Sequence, residues 1–213
     1  KIMTPGPTQV RENVRMARSL ACTNPDLDPA FYDYYKETCE LISELLETKN
    51  TAYILDGEGI LGLEAACASL TEPGDKVLVV DNGIYGKGGV LNPVEELSRA
   101  LHEYGIMTIV DSVSAMMGEP LRVDEGQIDI VCGGSQKAVS APPGLTFVTV
   151  SDAAMKAMEE RKTPIASFYA NILVFKDYYK NLWFPYTMPI SDIYGLRTAL
   201  ENVKADPDRY ERH

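Results

Sequence analysis

The chain has 213 residues, 45% of them hydrophobic and 24% charged, an ordinary balance for a globular protein with a packed core, and one large domain is expected. Its 31 acidic and 20 basic residues give a formal net charge of -11 with no Lys/Arg-rich block, which argues against nucleic acid and anionic membrane as partners.

In chain order, the opening Thr4-Pro5-Gly6-Pro7-Thr8 cannot be regular helix or central strand, because two prolines lack donors and the glycine admits unusual dihedrals; a shaped loop is expected. Across residues 29–48, Phe31, Tyr35, Leu41, Ile42, Leu45 and Leu46 recur at three- and four-residue steps, predicting an amphipathic helix. A strand leads into the turn at residues 55–60, and residues 61–70 form a second helix ended by Glu72-Pro73-Gly74-Asp75. Residues 76–80 read as a short buried strand, 94–104 as a helix stopped by Gly105, and 106–110 as a strand. Further apolar runs at 128–132 and 145–150 predict strands, and 152–161 a helix. Such alternation implies an α/β fold, a three-layer sandwich with a mostly parallel central sheet covered on both faces. No uncharged apolar stretch is long enough to span a bilayer, and no signal-peptide core follows Lys1. Cys22, Cys39, Cys67 and Cys132 form no CxxC or Cys/His cluster, so no metal site is expected and they read as free thiols of a soluble, cytoplasmic protein.

Parallel sheets bind ligands beyond the carboxyl ends of their strands, which directs attention to Asp111 and to Gly133-Gly134-Ser135-Gln136-Lys137. A lysine in a loop of small and uncharged residues can lose its proton and attack a carbonyl carbon; the plain alternative is a surface lysine in a glycine-rich turn. Asp111, which ends the preceding strand, could by itself cap a helix. Together the two are the pair that a pyridoxal 5'-phosphate (PLP) enzyme needs, with the carboxylate keeping the pyridine nitrogen protonated. The turn Asp56-Gly57-Glu58-Gly59-Ile60 can present backbone N–H groups to a phosphate, although many strand-to-helix turns hold glycines for steric reasons alone. Tyr85 could stack on a flat cofactor or be a half-buried loop aromatic.

The combination resembles the class V (fold type I) PLP-dependent aminotransferases, most closely the alanine–glyoxylate and serine–pyruvate branch. The matching motifs are Thr4-Pro-Gly-Pro7, Gly57-Glu-Gly-Ile-Leu-Gly-Leu-Glu-Ala65, Glu72-Pro-Gly-Asp75, Asn82-Gly-Ile-Tyr-Gly86, Gly89-Val-Leu-Asn-Pro93, Val110-Asp-Ser-Val113, Gly134-Ser-Gln-Lys-Ala138, Ala141-Pro-Pro-Gly144, Ser167-Phe-Tyr169 and Thr187-Met-Pro189. The resemblance implies that Lys137 holds PLP as a Schiff base and shuttles a proton, while Asp111 pairs with the pyridinium. It implies that Tyr85 stacks on the ring, Val113 packs on the other ring face, and the Gly59 and Ile60 amides and Gln136 reach the phosphate. Thr187 would contact the phosphate in a neighbouring subunit, making the site shared across a homodimer. The implied activity moves an amino group from a small amino acid, alanine or serine, to a 2-oxo acid, glyoxylate or pyruvate. Phosphonate or ureidoglycine transamination, lyase chemistry and a non-catalytic PLP-fold homologue are the alternatives.

The chain departs from the family at four places. Glu58 stands where many relatives have a phosphate-binding serine; a carboxylate repels a phosphate dianion, so Glu58 is expected to turn away and leave the phosphate to backbone amides. Phe184 replaces a phosphate-binding tyrosine, which costs one donor. Near residues 88–89 the family carries a further strand–helix–strand stretch, and beyond the equivalent of His213 a small C-terminal domain with the arginine that grips the substrate carboxylate. Residues 1–213 are accordingly expected to be the PLP-binding large domain of a longer protein.

Overall fold

The computed structural model describes residues 2, 4–80 and 90–211. In chain order it comprises α1 (Glu12–Ala17), α2 (Pro29–Leu45), β1 (Thr51–Asp56), α3 (Gly59–Leu70), α4 (Val94–His102), β2 (Ile109–Asp111), α5 (Val123–Gly126), β3 (Ile130–Gly134), β4 (Leu145–Val150), α6 (Asp152–Glu159), a 3-10 turn (Ile172–Phe175), α7 (Tyr178–Asn181) and α8 (Ile190–Lys204).

Among the described residues the sheet has the order β1-β4-β3-β2. Strands β2 and β3 pair in parallel, whereas β4 is antiparallel to both β3 and β1. Three of these four strands therefore share one direction, as expected, with β4 as the reversed strand between β1 and β3. Every residue of β3 and β4 is buried, the signature of strands covered on both faces. Thr146 and Val148 face α3, while Phe147 points the other way and closes with Met116 over Gly133.

The expected strand at 76–80 forms no ladder, and Val77, Leu78, Val79 and Val80 are exposed. Of the expected strand at 106–110 only Ile109 and Val110 lie in β2, which runs on to Asp111. β2, like β1, is an edge strand of the described sheet, and a strand without a neighbour on one side leaves backbone groups to water.

Helix α2 begins where predicted, with Pro29 in its first turn and the Asp28 carboxylate accepting from the Ala30 N–H at 3.0 Å. It ends at Leu45, and Glu47 has a φ of 49°, outside helical geometry. Its apolar face buries Phe31, Tyr32, Tyr35, Cys39 and Ile42, and the rings of Tyr32 and Phe184 stack 4.6 Å apart. Tyr35 does more than fill space. Its hydroxyl donates to the Ile54 carbonyl at 2.7 Å and accepts from the Ile54 N–H at 2.8 Å. One side chain thereby satisfies both backbone groups of a residue on the outer edge of β1, and the buried phenol is pushed well above its ordinary pKa by desolvation.

Replacing Tyr35 with Phe should leave both Ile54 groups unpaired in a dry environment and cost roughly 2–4 kcal/mol. Urea denaturation is the measurement; a loss below about 0.5 kcal/mol would show that water or a neighbour takes over the hydroxyl's two bonds.

Candidate active site

Because β1, β2 and β3 run in one direction, Asp56, Asp111 and Gly134 end on a single rim, which also carries the start of β4: Asp56 pairs with Leu145, Gly134 with Thr146, and Asp111 with Cys132. Past Gly134 the chain makes a tight excursion to Lys137 and back. The Ser135 hydroxyl donates to the Pro142 carbonyl at 2.6 Å, the Ser135 amide bonds the Leu145 carbonyl at 3.0 Å, and the Ala141 amide returns to the Ser135 carbonyl at 2.9 Å. This network closes the base of the loop and leaves Lys137 half-buried near its tip.

The opening loop lies across that tip. The Thr8 amide donates to the Gln136 carbonyl at 2.9 Å, and the Thr8 hydroxyl donates to the Lys137 carbonyl at 2.8 Å. The Lys137 ammonium reaches the Pro5 carbonyl at 3.5 Å. A β-carbon on Gly6, whose φ is +154°, would lie 2.6 Å from Lys137 Cδ, so a larger residue here would push the lysine stem from its present path. The sequence marked residues 4–8 as a shaped loop but gave no sign that Thr8 holds the lysine loop.

Asp111 is exposed at the rim, and its Oδ1 accepts from the Val113 N–H at 3.0 Å, a local turn that fixes both residues. Val113 in turn packs on α3: a β-carbon on Gly59 would stand 2.8 Å from one of its methyl groups. Val113 and Gln136 both lie over Gly134. Gln136 is buried, with no bond to its Oε1 among the described residues. Behind Asp111, burial first and the Asp111 carboxylate and Cys67 after it push the Cys132 thiol up, keeping it protonated.

Glu58 does not turn away. Its side chain caps α3, with Oε2 accepting from the Ile60 N–H at 3.0 Å. The physical reason is that the first N–H groups of a helix have no intrahelical partner and sit at the positive end of its dipole, and the adjacent carboxylate is the nearest anion. Of the two amides expected to face a phosphate, that of Ile60 is thus already engaged. The neighbouring Asp56 carboxyl is raised above its ordinary range, chiefly by partial burial and then by Asp192.

The rim therefore brings together Lys137, Asp111, Val113, Gln136, Gly59 and Ile60. Thr187 is exposed just before α8, and Tyr85 lies outside the described residues. Phe184 is buried among aromatic rings rather than at the rim. Among the described residues no group of three or more His, Cys, Asp or Glu could hold a metal ion, and no helix is long and apolar enough to cross a membrane.

Comparison with known proteins finds that the family model for aminotransferase class-V matches residues 49–213. The chain is 28% identical over 257 residues to an alanine–glyoxylate aminotransferase of Callithrix jacchus, covering 93% of this chain and 61% of that protein. To a pyridoxamine–pyruvate transaminase of Mesorhizobium japonicum it is 30% identical over 231 residues, covering 83% and 58%. Among solved structures, a ureidoglycine–glyoxylate aminotransferase of Bacillus subtilis superposes with a TM-score of 0.92 at 28% identity, covering 99% of this chain and 68% of that one. The chain thus spans about three fifths of the length of these curated relatives.

The contact between α3 and Val113 leaves no room for a β-carbon at Gly59. Gly59→Ala should cost about 1–3 kcal/mol through overpacking. Chemical denaturation checks this; unchanged stability would mean that Val113 yields without strain.

Proposed function

Because this chain belongs to the class-V aminotransferase family, we propose that Lys137 carries pyridoxal 5'-phosphate and that the protein moves an amino group from a small amino acid, such as alanine or serine, to glyoxylate or pyruvate. The observation that carries this reading is the parallel register that sets Asp111 opposite Cys132 and so puts a carboxylate and the Lys137 amine on one rim. The three relatives, from Callithrix, Mesorhizobium and Bacillus, all pair an amine donor with a small 2-oxo acid.

The rim fits the ring half of the cofactor well. Asp111 would hold the proton on the pyridine nitrogen, Val113 would wall off water from one ring face, and Lys137 would supply the amine and afterwards move a proton at the substrate's α-carbon. The cofactor, when bound, supplies a ring that accepts electrons from that carbon. Toward the phosphate the fit is partial. Gln136 offers a buried amide whose two ends are interchangeable by rotation, and Gly59 presents bare backbone, but Glu58 already sits on the Ile60 amide.

We propose further that the active unit is a homodimer with Thr187 reaching the neighbouring site, and that its free cysteines fit a reducing compartment such as the cytoplasm. A strand–helix–strand stretch missing from this sequence near residues 88–89 is also part of this reading. Three observations support it: the exposed apolar run Val77 to Val80, a β2 with no described outer neighbour, and an alignment that occupies 257 positions while using only 93% of this 213-residue chain. An intact mass of 23.5 kDa for the purified protein would remove the inserted stretch from the reading.

Glu58 on the Ile60 amide favours a second reading, in which the B6 compound bound here lacks a phosphate and serves as the amine donor, as the name of the Mesorhizobium relative indicates for that protein. Absorption spectra of the protein titrated with pyridoxal and with pyridoxal 5'-phosphate separate the two, with borohydride reduction and peptide mapping to locate the adduct. The leading reading expects a chromophore trapped on Lys137, lost in Lys137→Ala, and tighter binding of the phosphorylated aldehyde. The second expects pyridoxal to bind at least as tightly, and Glu58→Ser to shift the preference toward phosphate by about tenfold or more, since removing a like charge beside a dianion gains at least one such factor. No chromophore with either aldehyde would sink both.

A further inference from the structure

The geometry points to the segment from Pro5 to Thr8 as a strap that positions the Lys137 amine, with Thr8 as its positioning residue; this rests on Lys137 being the reactive amine of the proposed function. The strap is tied to the lysine at both ends of that residue. On the backbone side, the Thr8 amide and hydroxyl bond the consecutive carbonyls of Gln136 and Lys137, across 128 and 129 positions of sequence. On the side-chain side, the Lys137 ammonium donates to the Pro5 carbonyl at 3.5 Å, and Gly6 leaves room for the stem. The Thr8 hydroxyl also stands 3.4 Å from the Ser140 hydroxyl, so it reaches the return limb of the same loop.

The strap is suited to hold its shape. Pro5 and Pro7 fix two backbone dihedrals, and the Thr4 hydroxyl closes the turn onto the Pro7 carbonyl at 2.9 Å. A lysine stem otherwise samples many rotamers; here its amine has a fixed acceptor and its backbone a fixed mount. In the proposed function Lys137 would give up its bound partner to an incoming amine, and its freed amine would then have to stay close enough to move a proton. The Pro5 carbonyl is the acceptor that keeps it there, and alignment of this kind governs rates strongly.

Thr8→Val keeps the amide bond and removes the hydroxyl; Thr8→Ser keeps both. Two readouts are taken on each variant. The first is the rate at which Lys137, compared with the other lysines, reacts with a small acylating reagent in the cofactor-free protein, followed by peptide mass spectrometry. The second is the rate at which Lys137 condenses with pyridoxal, trapped by borohydride. Loosening the strap should make the amine more accessible but less well aimed. In Thr8→Val, acylation of Lys137 alone should rise several-fold while condensation falls about tenfold, and Thr8→Ser should match the wild type within about twofold. Acylation of Lys137 unchanged in Thr8→Val, or raised equally at every lysine, overturns the strap. Wild-type protein that never condenses while Lys137 acylation still responds to Thr8 overturns the PLP reading and leaves the strap standing.

Discussion

The arrangement of this protein depends on the parallel pairing of β2 with β3. That register sets Asp111 beside Cys132 and thereby positions the rest of the rim. Asp111 bonds the Val113 amide, Val113 covers Gly59 and Gly134, and Gly59 opens α3. A slip of one residue would turn Asp111 to the opposite face of the sheet and break each of these contacts at once. The chemistry is thus mounted on strand ends, whose side chains are aimed by backbone pairing, and the loops only need to close over them.

The reversed strand β4 has a second consequence. Placed between β1 and β3, it lets β1 finish on the same rim, so that Asp56 and the turn into α3 arrive beside the lysine loop without a long connection. The outer edge of β1 is then exposed to mispairing, the usual liability of an edge strand. Tyr35 covers it from α2 by bonding both groups of Ile54. The same helix face supplies the rings that receive Phe184, so the loss of a tyrosine hydroxyl at that position is a gain in core packing.

Much of this was legible in the sequence, for identifiable reasons. Lys137 and Asp111 could be found because apolar runs mark strands, and ligand-binding residues of such sheets stand just past the strand ends. Gly59 stood out because a strand-to-helix turn has few ways to be built. The illegible features involve partners distant in the chain. The direction of β4 is invisible to periodicity, since a buried strand reads alike in either sense. Thr8 is an unremarkable polar residue until the fold brings the Lys137 carbonyl to it. The strand expected at 76–80 had the right apolar composition, but composition does not supply a neighbour to pair with. Glu58 is illegible for a subtler reason: repulsion from a phosphate would turn its carboxylate outward, whereas attraction to the bare amides of its own helix holds it on Ile60.

That last competition sets the character of the site. Two carboxylates on this rim make unlike contacts, Asp111 with the Val113 amide and Glu58 with the Ile60 amide. Asp111, at a strand end, suits a cation and can steady a protonated ring. Glu58, at a helix start, takes for itself the amide and dipole that an anion would otherwise use. Around them the chain carries a net charge of -11, so an arriving dianion meets an unfavourable field except at Lys137 and any backbone N–H that remains free. A phosphate can bind only by displacing Glu58 from Ile60 or by using donors beyond it, and it must repay the lost cap in doing so. A neutral tail on the same ring meets no such demand. In the proposed reading, the choice between phosphorylated and unphosphorylated partner falls to one helix N-terminus, where Glu58 holds the Ile60 amide.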